Sequence, residues 1–223
     1  MFQMFRYLAS GDYISFFIQL IAKAFILLCV LPVHEFAHAW TADKLGDPTA
    51  RQLGRLTLNP LKHLDLWGSL LILFTGFGYA KPVPVNIRNF KDRKKGFAIT
   101  AAAGPISNLL MALFYFFFSN VFALFSSNIC VLLSTFLYFV GSININLAVF
   151  NLLPIPPLDG SRLFTVFIPD RYYYKILQYE RYIMLALLLL MFTGALSTPL
   201  SRLTSLCSQG INFIASLPFR LFS

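Results

Sequence analysis

The chain has 223 residues, of which 57% are hydrophobic, 17% aromatic and only 12% charged. With a mean hydropathy of +0.69, this composition excludes a soluble globular domain and predicts an all-α polytopic membrane protein. The net charge of +9 does not indicate a nucleic-acid partner, because the basic residues cluster between apolar runs, as they do in cytoplasmic loops.

The first apolar run covers residues 13–44, of which residues 24–42 are enough to cross a hydrocarbon core about 30 Å thick. Pro32 lacks an amide hydrogen and is predicted to loosen the hydrogen-bond ladder of this helix. This is either an ordinary membrane-helix kink or a part of the site that begins two residues later.

That site is formed by His34, Glu35 and His38, an H-E-x-x-H motif. An α-helix places residues four apart on one face, so the two imidazoles can hold one zinc ion while Glu35 takes a proton from the attacking water. The pattern also arises by chance. However, ionisable groups at membrane depth cost roughly 2.5–3.5 kcal/mol each, which makes them functional candidates. The motif therefore predicts the metal centre of a metallopeptidase.

Residues 66–86 are predicted to form a re-entrant hairpin or loop that lies against the protein. Their apolar part, residues 66–80, is short for a bilayer span, and basic loops precede and follow it. If both loops are cytoplasmic, the stretch between them must enter the membrane and return. Its exit contains Pro82 and Pro84, which drive the residues before them into extended conformations.

Two full spans are predicted over residues 97–121 and 129–153. The first contains Asn108, whose amide either joins packed helices or lies near the active site. The second runs into a proline-rich break over residues 154–160. Broken backbone at membrane depth is tolerated where it is buried in protein or lines a cavity, which is how polar sites are built inside membranes.

The C-terminal part is predicted to begin with an aromatic and basic interfacial segment over residues 162–181. A fourth span is expected over residues 182–200, and residues 203–222 form either a weak fifth span or an interfacial helix.

In total we expect about four to six membrane segments in a single domain, residues 1–223. The catalytic core is expected over about residues 14–165 and the C-terminal helices over about residues 181–222. The distribution of basic loops places the metal site near the cytoplasmic side.

A catalytic zinc usually has three protein ligands, and the residues leave two candidates for the third. Asp159 follows the proline-rich break, although an Asp in this place can also cap a helix. His63 is the remaining histidine, and it can also be an ordinary histidine of the membrane interface.

Five blocks of the sequence together resemble the site-2 protease family of intramembrane zinc metalloproteases. They are His34 to His38, Asn59 to Asp65, Ala80 to Asn86, Gly104 to Asn108, and Asn151 to Gly160. The chain looks like a compact bacterial-type member, without evident PDZ or CBS domains.

The resemblance implies one Zn²⁺ per chain, held by His34, His38 and Asp159, with Glu35 as general base. It also implies that Asn151 and Pro154 bind substrate, and we add Asn108 as a further candidate for that role.

By the same resemblance, the expected activity is hydrolysis of peptide bonds within or near the transmembrane segments of single-span membrane proteins. Typical substrates of the family are anti-sigma-factor-like regulators and remnant signal peptides. The expected location is the bacterial cytoplasmic membrane, with the chain embedded in the lipid bilayer by several passes.

Three alternatives remain at this point. A catalytically inactive relative that binds substrates is expected to have lost Glu35 or a metal ligand. A zinc transporter needs polar residues along a whole pathway, whereas here they gather toward one end. A different metalloprotease class with the same motif needs a Glu or His ligand on a later helix, where Glu180 is the only later Glu.

Overall fold

The structure is a computed structural model that describes residues 3–75, 80–169, 172, 175–176 and 178–220. All regular elements in these ranges are helical, as the composition predicts. The chain divides into two compact units, Met1–Lys91 and Asp92–Ser223. The single domain expected from the sequence stays a prediction.

In its described residues the first unit contains α1 (Gln3–Ala9), α2 (Tyr13–Phe25), α3 (Leu31–Lys44), α4 (Thr49–Gln52) and α5 (Leu66–Thr75). The helical segment Phe16–Lys44 is 29 residues long and apolar enough to cross a membrane, as the first predicted span requires.

A π-helical turn, Ile26–Val30, joins α2 to α3, and Leu31 donates its amide hydrogen to the carbonyl oxygen of Ile26, five residues back. Pro32 explains the turn, because a proline cannot donate to the carbonyl four residues back and its ring pushes that carbonyl away. The predicted loosening of the helix at Pro32 is therefore confirmed.

The predicted hairpin over residues 66–86 is described in part. α5 forms its first arm and packs against α2, where Lys23 Nζ donates to the carbonyl oxygen of Leu73 at 3.0 Å. Residues 76–79, where the chain would turn, lie outside the described residues. Residues 80–86 have no helical structure, as expected for a stretch that contains Pro82 and Pro84. The first arm thus lies against the protein.

A small apolar cluster holds this extended stretch in the first unit. Val83 is 7% exposed and packs with Ala39 of α3 and Ala50 of α4, which are fully buried. Leu56 and Val85 cover the cluster. Because Val83 and Val85 are two residues apart, an extended chain turns both side chains to the same face.

In its described residues the second unit contains α6 (Arg93–Ala123), α7 (Asn128–Asn151), α8 (Asp159–Leu163), α9 (Glu180–Phe192) and α10 (Ser197–Arg220). α6 and α7 are long and apolar enough to cross a membrane, as the second and third predicted spans require. The Asp92 side chain begins α6 by accepting a hydrogen bond from the Lys95 amide at 3.1 Å.

α6 and α7 pack closely because small residues stand where they meet. A Cβ at Gly141 would lie 2.7 Å from two carbon atoms of the Phe116 ring. α10 packs against both helices. The core they share is Ala112, Phe116, Ile145, Val149 and Ala215, with Leu109, Leu113, Phe117, Leu200, Cys207 and Ile211 around it.

The fourth predicted span, residues 182–200, differs from the structure. α9 ends at Phe192 and a turn with Gly194 at φ +76° separates it from α10. At 1.5 Å per residue, a helix of 13 residues is about 20 Å long, which is short for a hydrocarbon core of about 30 Å.

Among the described residues, α10 is not one of the three candidate spans, so both expectations for residues 203–222 stay open. Residues 221–222 of that tail lie outside the described residues. So do several of the expected interfacial segment 162–181: residues 170–171, 173–174 and 177.

Candidate active site

The two histidines of the motif converge on the buried face of α3. His34 is 5% exposed and His38 is 7% exposed. One helical turn separates them, and their Nε2 atoms are 3.1 Å apart with ring planes that cross at 82°. The structure thus brings these two predicted ligands together.

The distance between the two nitrogens fits a shared zinc ion. Zinc–nitrogen bonds are about 2.0–2.1 Å long, so two ligands at a tetrahedral angle stand about 3.3 Å apart. The observed 3.1 Å requires only a slightly narrower angle. Neutral imidazoles are also common zinc ligands, so both the distance and the chemistry suit the metal.

Glu35, the predicted general base, is held by the extended stretch of residues 80–86. It is 9% exposed, and its Oε2 accepts a hydrogen bond from the Val83 amide at 3.2 Å. Pro82 and Pro84 on either side have no amide hydrogen to offer. The Val83 amide therefore fixes the orientation of the carboxylate.

A buried arginine holds the same stretch. Arg55 is 7% exposed, and its Nη2 donates to the carbonyl oxygen of Lys81 at 2.6 Å. Burial lowers the pKa of Arg55, while the negative charge of Glu35 acts in the opposite direction. The guanidinium charge and the Glu35 carboxylate therefore influence each other.

His63, the other candidate for the third ligand, is fully buried. Its Nε2 lies 2.7 Å from the carbonyl oxygen of Thr57, and its backbone carbonyl accepts the Lys81 amide hydrogen at 2.7 Å. His63 thus ties the loop after α4 to the extended stretch.

Asp47 anchors the far end of the extended stretch. It is fully buried and accepts hydrogen bonds from the Asn86 amide at 2.7 Å and from Asn89 Nδ2 at 2.7 Å. Burial acts to raise the pKa of Asp47, but the hydrogen bonds from Thr49, Asn89 and Asn86 outweigh it and hold the pKa below its usual value. Residues 81–86 are therefore fixed at both ends.

The second unit contains the other predicted site residues. α7 ends at Asn151, which is half-buried, and Pro154 is exposed in the break that follows. Asp159 is half-buried and is the first residue of α8, whose cap position is occupied by Leu158. The cap interpretation of Asp159 is therefore wrong.

Gly160 explains how the turn before α8 is held. A Cβ at this position would overlap the carbonyl oxygens of Leu152 and Leu153, so only glycine allows α8 to begin against the end of α7.

Asn108 is fully buried in α6. Neither atom of its amide has a hydrogen-bond partner in the part of the chain that the structure describes. A buried amide without a partner costs free energy. This observation sets Asn108 apart from Asn144, which at least donates to the Val140 carbonyl at 2.9 Å.

Sequence reasoning missed Arg55, Asp47 and the Val83 amide. Charged residues outside the apolar runs are normally solvated, and nothing in the local pattern separates Arg55 from Arg51, which is exposed on α4 and pairs with Asp43. Only the tertiary structure buries one and exposes the other. A backbone amide carries no sequence signal, although its two flanking prolines mark the stretch as extended.

Comparison with known proteins identifies the family of the chain. Residues 120–192 match the model of peptidase family M50. A relative from Bacillus subtilis (strain 168), provisionally named zinc metalloprotease YwhC, is 43% identical over 171 residues, which are 75% of this chain and 78% of the relative. The chain belongs to peptidase family M50.

This family M50 chain also resembles two longer proteins that are provisionally named zinc metalloprotease Rip2. The one from Mycolicibacterium smegmatis (strain ATCC 700084 / mc(2)155) is 35% identical over 160 residues, which are 67% of this chain and 57% of the relative. The one from Mycobacterium tuberculosis (strain ATCC 25618 / H37Rv) is 31% identical over 153 residues, which are 66% of this chain and 56% of the relative. The chain thus spans little more than half the length of the Rip2 relatives. No solved structure matches it.

Membership of family M50, the site-2 protease family, confirms the resemblance seen in the five blocks. The chain is a zinc metalloprotease, and Zn²⁺ is its metal. The matched residues 120–192 include Asn151, Pro154 and Asp159, whereas the H-E-x-x-H motif lies before them.

Proposed function

We propose that this family M50 zinc metalloprotease is an intramembrane endopeptidase, which hydrolyses peptide bonds within or near transmembrane segments of single-span membrane proteins. One observation carries the proposal. His34, Glu35 and His38 are buried on Phe16–Lys44, a helix long and apolar enough to cross a membrane. A catalytic motif on such a helix can meet a substrate that is itself in the membrane.

We assign the zinc ligands as His34, His38 and Asp159. Asp159 is supported by the chemistry of its carboxylate, which is a usual zinc ligand beside two histidines, and by its place at the start of α8. His63 is a weaker candidate because its Nε2 already lies against the Thr57 carbonyl. The assignment requires the two units to act as one catalytic domain.

Glu35 is the general base of this proposal. When bound, zinc polarises the scissile carbonyl and makes a water molecule acidic enough to attack near neutral pH. Glu35 takes a proton from the water molecule while the oxygen of that water bonds to the scissile carbonyl carbon. It then gives that proton to the amine nitrogen when the C–N bond breaks. The Val83 amide keeps the carboxylate oriented through both transfers.

The extended stretch is the proposed place for an unwound substrate. A transmembrane helix hides its carbonyls in its own hydrogen bonds, so it must open before cleavage. The Val83 carbonyl and the Val85 amide have no hydrogen-bond partner among the described residues. They can therefore pair with an extended substrate as a neighbouring strand does. Asn151, Pro154 and Asn108 are proposed to contact the same substrate.

We propose that the chain lies in the cytoplasmic membrane of a bacterium with its active site toward the cytoplasm. The support is the basic segment from Arg88 to Lys95, which contains five Lys or Arg residues, because such segments face the cytoplasm. Regulators of the anti-sigma-factor type and remnant signal peptides are substrates of suitable form, since each contains a single apolar helix.

The test is zinc content and cleavage of a single-span substrate in liposomes, compared among the parent, Glu35→Gln, Asp159→Asn and Glu180→Gln. We expect about one zinc per chain in the parent. Glu35→Gln should keep the metal and lose cleavage, and Asp159→Asn should lose metal. Glu180→Gln is the matched control, because it also neutralises an acid of the second unit and should behave as the parent.

A soluble peptide with the same cleavage sequence decides whether the activity is intramembrane. We expect the parent to cut the single-span substrate much faster than this peptide. Equal rates on both would contradict the intramembrane proposal, and cleavage by Glu35→Gln would contradict the assigned base. If Glu180→Gln lost the metal and Asp159→Asn retained it, the third ligand would be Glu180 and not Asp159.

A further inference from the structure

Arg55 is buried, whereas Arg51, four residues earlier on α4, is exposed. The Arg51 side chain is 63% exposed and pairs with Asp43, whereas Arg55 is 7% exposed. Arg55 Nε has no hydrogen-bond partner among the residues that the structure describes. Arginine is rarely buried unless it is paired, so the position of this guanidinium calls for a physical reason.

The contacts of Arg55 lead to Glu35 through the backbone of the extended stretch. Arg55 Nη2 donates to the Lys81 carbonyl at 2.6 Å, and the Lys81 amide donates to the His63 carbonyl at 2.7 Å. Both backbone polar groups of Lys81 are therefore held. Two residues later, the Val83 amide donates to Glu35 Oε2 at 3.2 Å.

An extended chain passes this constraint along efficiently. Lys81 and Val83 each precede a proline, which drives both toward extended conformations, and Pro82 between them has a fixed φ. Holding Lys81 thus limits the directions open to the Val83 amide.

We propose that Arg55 is a positioning residue for peptide hydrolysis, which places the Glu35 carboxylate by fixing Lys81 and, through it, the Val83 amide. The inference rests on the proposed role of Glu35 as general base. A role in orientation alone affects the chemical step more than substrate binding, and a displacement of about 1 Å near reacting groups can lower a rate roughly 100-fold.

The experiment measures kcat and KM for the single-span substrate with the zinc-loaded full chain. Arg55→Gln removes the charge, and Val83→Pro removes the amide hydrogen that Glu35 accepts, together with the buried valine side chain. We expect both to lower kcat roughly 10- to 100-fold with KM unchanged and the zinc content of the parent. Arg55→Lys keeps a charged donor and should recover most of the kcat. Arg51→Gln, the matched control, should leave kcat and KM unchanged.

The double variant decides whether the two residues act along one path. If Arg55 acts through Val83, Arg55→Gln with Val83→Pro is no slower than the slower single variant. The inference would be overturned if the loss of kcat in the double variant were the product of the two single losses. It would also be overturned if Arg55→Gln raised KM and kept the parental kcat.

If Arg55→Gln does not fold, Val83→Pro decides alone: the parental kcat in that variant would overturn the inference. Failure of the proposed function is recognised separately, because then Glu35→Gln would cut as fast as the parent.

Discussion

Gly160→Ala tests whether the start of α8 must be held where it is. In the structure, a Cβ at residue 160 would come closer than 3.0 Å to the carbonyl oxygens of both Leu152 and Leu153. These are backbone atoms, which cannot swing away as a flexible side chain does. The turn that carries Asp159 must therefore move by roughly 1 Å to restore ordinary contact, and a shift of this size can lower a catalytic rate about 100-fold.

We expect Gly160→Ala to bind zinc more weakly and to cleave the single-span substrate roughly 100-fold more slowly. Overpacking should also lower the free energy of unfolding by about 1–3 kcal/mol. The assay combines zinc content, cleavage rate and thermal unfolding in detergent. Gly210→Ala is the matched control, since a Cβ at Gly210 meets no atom within 4 Å. A Gly160→Ala variant with parental zinc content and rate would refute the reasoning.

Three further predictions follow from buried groups. Asp47→Asn should lower the melting temperature at pH 7 by about 2–8 °C. The Asp47 pKa is held low, so its stabilisation is present above the ordinary pKa of about 3.9 and is lost as the pH falls further; equal acid sensitivity in parent and variant would contradict this. Gly141→Ala should destabilise the protein by about 1–3 kcal/mol in thermal unfolding, because the new Cβ would stand 2.7 Å from the Phe116 ring; a stability change no larger than that of Gly210→Ala would be evidence against it. Asn108→Leu should keep or raise the melting temperature while cleavage falls, since the amide it removes is buried without a described partner; unchanged cleavage would leave Asn108 as a packing residue.

The sequence predicted the spans and the metal-binding pair because both depend on local rules. Length and hydropathy are enough to recognise α6 and α7, and the spacing of four residues is enough to place His34 and His38 on one face. The bounds of the expected fourth span could not be found in this way. Residues 182–200 contain no charged residue, and a turn in which Gly194 has a left-handed conformation divides them into two helices.

The surroundings of Glu35 could not be predicted because they depend on contacts between residues far apart in the chain. Val83 is 48 residues after Glu35, and Arg55 reaches Lys81 across 26 residues. No spacing rule connects such positions. The sequence did predict that residues 81–85 are extended, and that conformation is what allows the Val83 amide to reach the base.

The π-helical turn Ile26–Val30 also sets the rotation of the catalytic motif about its own helix. A π turn contains one residue more than the α-helical turn it replaces, and each residue of an α-helix adds about 100° of rotation. If the same residues continued as a regular α-helix, the extra residue would rotate α3 by about 100° relative to α2, and with it the face that carries His34 and His38. The length of this turn therefore fixes the angular register between the N-terminal part of the span and its metal-binding face.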